Sequence, residues 1–292
     1  MRVVPLSEVQ PRRRRVAVGE FDGVHLGHRA VIAGSDTVLT FEPHPASVVR
    51  PGGGPKLLTT LELKTEIVAT LGVEELIVVP FDHGFAHQEA AAFVDSVLVQ
   101  TLGATHVSVG ANFRFGHHAH GTAALLAADG RFETRVVPLV LVDDAPVSST
   151  RIRNLLGAGD LAQAARLLGT RFQIRGEVVP GDQRGRDLGY PTANVIPDPK
   201  LVCPGHGVYA CRVGEKMAAV NVGVRPTFGS DLQLLVEAYL LDFQGDLYGQ
   251  RITIEFFERL RGEERFDDIE QLVAQIDRDV ETTRELLASG VE

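Results

Sequence analysis

The sequence predicts two domains of different class: an α/β first half built on a parallel sheet, and a second half that folds as a compact antiparallel sheet or barrel closed by a helix. Three observations predict this. The chain has 292 residues, more than one compact domain usually holds. In the first half, apolar runs of strand length alternate with segments of helical spacing. Beyond Leu168, short apolar runs are punctuated by Gly, Pro and Asp, the texture of tight turns between antiparallel strands.

Taken in order, the first-half strands are Arg15–Gly19, Thr37–Phe41, Leu76–Pro80, His106–Gly110 and Thr134–Val142. Thr60–Leu71 and Ala90–Leu102 place apolar residues three and four apart, as helices do. Strand, helix, strand implies parallel pairing, and ligands of such sheets gather beyond the carboxyl ends of the strands. Thr150–Leu168 is predicted helical with a break at Gly157-Ala158-Gly159, which sets the domain boundary: residues 1–157 and 158–292. The second-half strands are Phe172–Val179, Gly207–Val213, Lys216–Val222, Leu234–Leu241 and Arg251–Leu260. Asp268–Leu287 carries a helical stripe of Ile269, Leu272, Val273, Ile276, Val280 and Leu287.

Composition narrows the function. The net charge of −9 argues against a basic nucleic-acid surface. Arg12–Arg15 is the one dense basic patch and is expected to be a solvated arm. No apolar run reaches membrane-spanning length, and the first residues lack a signal-peptide core, so a cytoplasmic protein is expected. Cys203 and Cys211 are too few and too far apart for a standard zinc motif, and both are expected to be free thiols.

The stretch GEFDGVHLGHRA, Gly19–Ala30, follows the first strand and leads into a helix starting near Leu26. His25 and His28 therefore share one helical face at a strand-to-helix turn. Free backbone N–H groups favour an anion there, and Gly19, Gly23 and Gly27 let a phosphate approach the backbone. The two imidazoles can donate to a phosphoryl group as its charge grows. The structural alternative is a pair of capping or core histidines. VSSTRIR, Val147–Arg153, pairs hydroxyls at a helix start with guanidinium forks that suit phosphate. NFRFG, Asn112–Gly116, ends a strand with an amide and two aromatic rings, and the following histidines His117, His118 and His120 read as a solvated loop.

In the second half, GDQRGRDLG spaces Gly181, Gly185 and Gly189 in a charged loop able to wrap phosphates with its N–H groups. PTAN follows, and Thr192 and Asn194 alternate onto one side of an extended chain. Their oxygens suit Mg²⁺. Glu237 interrupts the apolar run LLVEAYLLDF, where a lone carboxylate needs a reason. It is either a general base or a surface glutamate.

These strings, with TFEPHP, LLTTLELK, VVPFDHGFA, GVYA, NVGVRPTFG and DLYG in order, resemble the bacterial bifunctional FAD synthetases (riboflavin kinase/FMN adenylyltransferases) over nearly the whole chain. The resemblance implies a Rossmann-like HxGH nucleotidyltransferase domain followed by a six-stranded antiparallel β-barrel riboflavin-kinase domain with a C-terminal helix. It implies that riboflavin and ATP give FMN, that FMN and ATP give FAD and pyrophosphate, and that both steps use Mg²⁺. By the same resemblance, His25 and His28 serve adenylyl transfer. Gly19, Phe21, Asp22, Gly23, Ser149, Thr150 and Arg153 bind ATP. Asn112, Phe115 and Arg225 bind flavin, Thr192 and Asn194 hold the metal, and Glu237 is the base. A monomer or weak homo-oligomer is expected, acting on small molecules alone.

One departure stands out. Only eight residues separate His28 from Thr37, fewer than a parallel crossover normally needs. This motivates a second reading, a riboflavin kinase whose first domain is impaired or regulatory. A non-catalytic flavin or nucleotide sensor is a third.

Overall fold

The apolar runs of the first half are buried on both faces because a helix-covered parallel sheet hides both. In chain order the strands are β1 (Arg2–Pro5), β2 (Arg14–Val18), β3 (Thr37–Glu42), β4 (Glu75–Pro80) and β5 (Ala104–Gly110). A hairpin of β6 (Arg114–Phe115) with β7 (Gly121–Thr122) follows, then β8 (Glu133–Val137) and a hairpin of β9 (Leu141–Val142) with β10 (Ala145–Pro146). The helices are α1 (Leu26–Ile32), α2 (Pro45–Val49), α3 (Leu61–Ala69), α4 (His83–Ala86), α5 (Ala90–Phe93) and α6 (Ala123–Ala127). A π-helical stretch, Val94–Thr101, continues α5. The structure is a computed structural model and describes residues 1–181, 189–226 and 232–288, with the backbone alone at 224–226 and 232–234.

The main sheet has the order β1-β4-β3-β2-β5-β8, all parallel. β2 lies between β3 and β5, so the strand order reverses there. The loops leaving β2 and β5 flank that reversal, the place where open α/β sheets bind ligands. Alternating residues feed two cores, one including Leu39, Ile77, Leu98 and Val107, the other Phe21, Ile32, Val38, Val68 and Leu76.

The arginine run is not a solvated arm throughout. β2 begins at Arg14, which is 2% exposed and donates to Glu75 Oε2 at 2.9 Å and to the Leu102 carbonyl at 2.7 Å. Arg2 and Arg12 reach the same buried carboxylate, at 2.8 and 3.5 Å. Residues at the mouth of a buried strand look polar in sequence yet are needed inside to satisfy one another. β8 stops before Pro138, which has no N–H for the ladder.

The chain divides by contacts into two units, Met1–Ser149 and Thr150–Glu292. α7 (Ser149–Ala158) begins at the division, and α8 (Leu161–Leu168) follows after the Gly159 break. The strands are β11 (Phe172–Val179), β12 (Thr192–Pro197), β13 (Gly207–Val213), β14 (Lys216–Pro226), β15 (Leu232–Leu240) and β16 (Arg251–Arg261). They close as an antiparallel barrel in the order β11-β12-β15-β14-β13-β16. Ile174, Val195, Tyr209, Val220, Val236, Ala238 and Phe256 are buried in it.

The last helix, α9 (Ile269–Ala288), buries Asp279, Thr283 and Leu287, while Ile269 is 60% exposed. The expected apolar stripe holds beyond its first residue: Leu272, Val273, Ile276 and Val280 are half-buried, Leu287 is buried, and Asp279 and Thr283 share their face. Arg261 of β16 donates Nε and Nη2 to the Asp279 carboxylate at 2.9–3.1 Å, which seats a carboxylate on that inward face. A hydrophobic pattern cannot register a buried ion pair.

Glu75→Gln leaves the buried Arg14 without a counter-charge and is expected to destabilise the first unit by about 3 kcal/mol, since breaking a buried pair costs that order. Denaturant unfolding followed in that unit measures it.

Candidate active sites

Strand β2 ends at Val18, and Gly19–His25 crosses the carboxyl edge of the sheet before α1 begins. Side chains from three other segments clamp this turn. Lys64 of α3 is 3% exposed and donates to the Glu20 carbonyl at 2.7 Å, with Thr40 Oγ1 donating to the same oxygen at 3.0 Å. The Lys64 ammonium also lies 3.5 Å from Glu20 Oε1. Asp22 Oδ1 accepts from the backbone N–H of Leu58 and Thr59 at 2.8 and 3.2 Å. Ser149 Oγ donates to the Asp22 carbonyl at 3.0 Å, and the Gly23 N–H donates to Thr59 Oγ1 at 3.1 Å. Phe21 and Val24 sit at φ +53° and +42°, a strained conformation for side chains of that bulk, so the clamps hold a turn that would otherwise relax. A Cβ at Gly19 would stand 2.9 Å from the Phe21 ring, so only glycine fits above it.

His25 caps α1, its Nδ1 accepting from the His28 N–H at 3.2 Å. The two rings stack at 3.5 Å with 16° between planes, and Phe21 meets His28 edge-on at 5.5 Å. Burial, then the neighbouring His25 and Lys64, hold His28 well below the ordinary imidazole range. It is neutral at physiological pH and keeps one N–H to donate. His28 Nδ1 and Glu20 Oε2 are buried without a hydrogen-bond partner. Burial lifts the Glu20 carboxyl to about 7 against the opposing pull of Lys64.

The short crossover is answered by support for α1 from its neighbours. The helix has seven residues, too few to stand alone. Its last carbonyls are taken by other strands: Ser108 Oγ of β5 donates to the Val31 carbonyl at 2.7 Å, and Arg135 of β8 donates to the carbonyls of Ala33, at 2.8 Å, and Ala30. Arg29 Nε returns to the Val24 carbonyl at 3.1 Å.

Beyond the ends of β3 and β4 lies a cavity of about 530 Å³, lined by rings including Phe41, Phe81, Phe85, Phe93, Phe113 and Phe115. Phe113 and Phe115 stack at 5.5 Å and 18°. The histidine loop is not simply solvated. His117 and His118 also line the cavity, and His117 lies 5.0 Å from the His87 ring and 3.4 Å from Glu89. The reading of FGHHAHG alone missed this because His87 and Glu89 come from the turn between α4 and α5. Asn112 is exposed in the loop after β5, and a Cβ at Gly110 would stand 3.2 Å from its Oδ1. Thr150 and Arg153 lie on α7.

In the barrel, β12 and β14 both pair with β15 so that Asn194 and Asn221 stand directly opposite Glu237. The three polar side chains form a row across the strands, one residue out of phase with the buried Val195, Val222 and Val236. Asn194 is 7% exposed, Glu237 is half-buried, and Asn221 Nδ2 donates to Glu237 Oε2 at 3.3 Å. A side chain at Gly181 would overlap the Asn194 amide, which explains glycine there. Thr192 lies two residues from Asn194 on the same face and pairs with Tyr239, whose ring meets Tyr190 at 5.3 Å. Gly189 has φ +89°. Arg225 is placed by its backbone in β14, opposite Gln233. Gly185 lies outside the described residues.

Sequence reading missed Lys64, Glu20, Ser108, Arg135, Asn221 and five of the six named cavity rings. Lys64 did leave a signal, a cation beside Leu63 on the inward face of an apolar helix. Glu20 and Asn221 stand inside strings already singled out, while Ser108 and Arg135 act on α1 from strands distant in sequence and leave no signal.

A family model for FAD synthetase matches residues 7–151, and one for riboflavin kinase matches residues 168–287. The bifunctional riboflavin kinase/FMN adenylyltransferase of Listeria monocytogenes is 39% identical over 94% of this chain and 92% of its own. The protein of the same description from Escherichia coli K12 is 38% identical over 96% and 95%. A crystal structure from Streptococcus pneumoniae, described as a macrolide-efflux protein, matches with a TM-score of 0.87 at 29% identity, covering 97% of this chain and 98% of that one. Among the described residues of this chain no helix is long and apolar enough to cross a membrane.

Ser108→Ala removes one bond from the last turn of α1, and Arg135→Ala removes two. Ser108→Ala is expected to speed amide exchange in α1 about fivefold, the size of one net hydrogen bond, and Arg135→Ala by more, with β4 and β5 unchanged. Hydrogen-exchange mass spectrometry of the α1 peptide checks this.

Proposed function

Because the chain belongs to the bifunctional riboflavin kinase/FMN adenylyltransferase family, we propose that each unit carries one of the two activities on the residues described above. The enzyme phosphorylates riboflavin to FMN with ATP and adenylylates FMN to FAD, releasing pyrophosphate. One observation carries the residue assignment: the polar groups the chemistry needs form two separate clusters, the stacked His25–His28 turn and the Asn194–Glu237–Asn221 row.

Adenylyl transfer falls to residues 1–157, the start of α7 included because Ser149 is bonded to the Asp22 carbonyl. An FMN phosphate oxygen attacks the α-phosphorus of ATP. One P–O bond forms, the bond to the β-phosphate bridging oxygen breaks, and pyrophosphate leaves with the electron pair. The nucleophile is already ionised, so no base is needed. Neutral His28 donates to the phosphoryl oxygens as charge gathers on them. His25 fixes the His28 ring by stacking, and Gly19, Phe21, Asp22 and Gly23 shape the turn. Ser149, Thr150 and Arg153 receive the outer phosphates. The ring-lined cavity takes the isoalloxazine, with Phe115 as a stacking face and Asn112 at its rim.

Phosphorylation falls to residues 158–292. Glu237 accepts the proton of the riboflavin 5′-hydroxyl. The hydroxyl oxygen bonds to the γ-phosphorus, and ADP leaves with the electron pair. Gly181, Gly185 and Gly189 lie along the phosphates, and Arg225 adjoins the flavin. Thr192 Oγ1 and Asn194 Oδ1 suit Mg²⁺, because both are oxygen donors on one face and the Asn194 amide is held against Gly181. Bound there, the ion would neutralise phosphate charge. The enzyme works in the cytoplasm on small molecules, without nucleic acid, as a monomer or weak homo-oligomer.

The reading of an impaired first domain loses its motive, since the short α1 is held at both ends. A time course with riboflavin, ATP and Mg²⁺, separated chromatographically, is expected to show FMN rising and passing into FAD. His28→Ala is expected to cut FAD formation about a hundredfold and spare FMN formation, the scale of one lost transition-state donor. Glu237→Gln and Asn194→Ala are expected to do the reverse, with supplied FMN still converted. FMN that plateaus in the unmodified enzyme would overturn the first assignment. The rate of FAD formation is further expected to show no limb from His28 near pH 6.5, the ordinary histidine value, because burial keeps it neutral there; any limb near 7 is expected to be that of Glu20 and to vanish in Glu20→Gln. A pH–rate profile with saturating FMN checks that.

A further inference from the structure

Asn221 opens the NVGVRPTFG string but carries no role in the assignment above, and its side chain bonds Glu237. It lies on β14, directly opposite Glu237 on β15, and donates Nδ2 to Glu237 Oε2 at 3.3 Å. The amide must present its NH₂ to the carboxylate, because its carbonyl oxygen would be repelled. On the other flank, β13 offers Val208, a hydrocarbon partner with nothing to bond. The amide is therefore directed toward β15 by the sheet itself. A glutamate on a strand swings about three side-chain torsions. One held by an amide from the neighbouring strand keeps Oε2 occupied and leaves Oε1 to accept a proton.

We propose that Asn221 is the positioning residue of the kinase base: it pins one oxygen of Glu237, so that the other faces the 5′-hydroxyl of riboflavin. The inference rests on Glu237 being that base.

Among the described residues, the charged and titratable groups around the row are few enough to name. From the segment after β16, Glu263 places Oε1 where a side chain at Gly223 would stand, 2.7 Å from that Cβ position, while Asn221 Nδ2 lies 3.8 Å from it. His206 pairs with Glu263 at 3.6 Å. On β15, Tyr239 lies two residues along, with Tyr190 against it and Asp277 of α9 accepting from the Tyr190 hydroxyl. β12 contributes the neutral Thr192 and Asn194. The Asn221 amide and the Glu263 carboxylate thus border the same Gly223 position, and the amide donates to Glu237 without adding charge.

The chemistry gives the test a sign. Donation from a neutral amide favours the carboxylate over the carboxyl form, so its removal lets the base hold its proton to higher pH. A base must be deprotonated, so the acid limb of the rate profile moves up. The experiment measures FMN formation from riboflavin, ATP and Mg²⁺ between pH 5 and 9 with the full chain, alongside Asn221→Leu, Asn221→Asp and Glu237→Gln. Asn221→Leu is expected to lower kcat about tenfold at pH 7 with KM for riboflavin and ATP within twofold. Its acid limb is expected to move up by about one pH unit, the worth of one charge-assisted hydrogen bond. Asn221→Asp sets a second carboxylate beside the first and is expected to move the limb further. Thermal unfolding of each variant reports the fold.

An unmoved acid limb in both Asn221 variants overturns the inference, whether the rate is intact or falls evenly at every pH along with the unfolding midpoint. Glu237→Gln that still phosphorylates riboflavin at the full rate overturns the base assignment, and the inference with it. Loss of FMN formation in Glu237→Gln with an unmoved limb in the Asn221 variants sinks the inference alone.

Discussion

The Lys64 ammonium, buried where α3 meets the carboxyl ends of β2 and β3, is the interaction on which the first site depends. A buried cation is costly unless it is fully bonded. Here its bonds go to the Glu20 carbonyl, the Glu20 carboxylate and Thr40. Those bonds fix the turn that must carry Phe21 and Val24 at positive φ, and that turn sets where α1 starts. The same cation sits close enough to His28 to disfavour its protonation. One lysine therefore fixes the turn before the histidine and adds to the burial and the neighbouring His25 that keep it neutral, so substitution of Lys64 alone would change both.

A second constraint is length. Eight residues from His28 to Thr37 leave room for two helical turns and little else. A helix that short gains little from its own hydrogen bonds or its dipole, so its stability has to come from tertiary contacts. Val31 and Ile32 bury their side chains, while Ser108 and Arg135 occupy the last carbonyls. The strands that supply these groups, β5 and β8, lie on the side of β2 away from β3. The crossover is thus held by the part of the sheet that the chain builds last, and α1 can be secure only once β5 and β8 are in place.

The fold was largely legible in the sequence, because hydrophobic period reports burial and burial decides these elements. β11 and β13 begin and end where the apolar runs do, and the break between α7 and α8 falls at the Gly157-Ala158-Gly159 run. What escaped was polar and buried. Arg14 read as surface because its partner Glu75 is sixty residues away. Asp279 joins the inward stripe of α9 unannounced because a carboxylate contributes nothing to a hydrophobic pattern. The candidate sites divide the same way. His25, His28, Thr192, Asn194 and Glu237 lie in strings whose local spacing carries the chemistry. Lys64, Arg135, Ser108 and Asn221 act on those residues from other strands or helices, where only the topology brings them near.

That division has a physical cause common to both units. A group that reacts must be aimed at the ligand, so it sits at a strand end or on an open face, and its spacing is local. A group that aims it must approach from the side, and in a sheet the side neighbour is another strand. In the open parallel sheet the aiming groups come from α3, β5 and β8. In the closed barrel every strand has two neighbours, so Glu237 receives Asn194 from one and Asn221 from the other. Closure makes that bracketing automatic, with no added loop or helix. An antiparallel barrel can therefore bring an amide to a carboxylate from the adjacent strand, where the open sheet needs a buried lysine and a strained turn to hold a histidine.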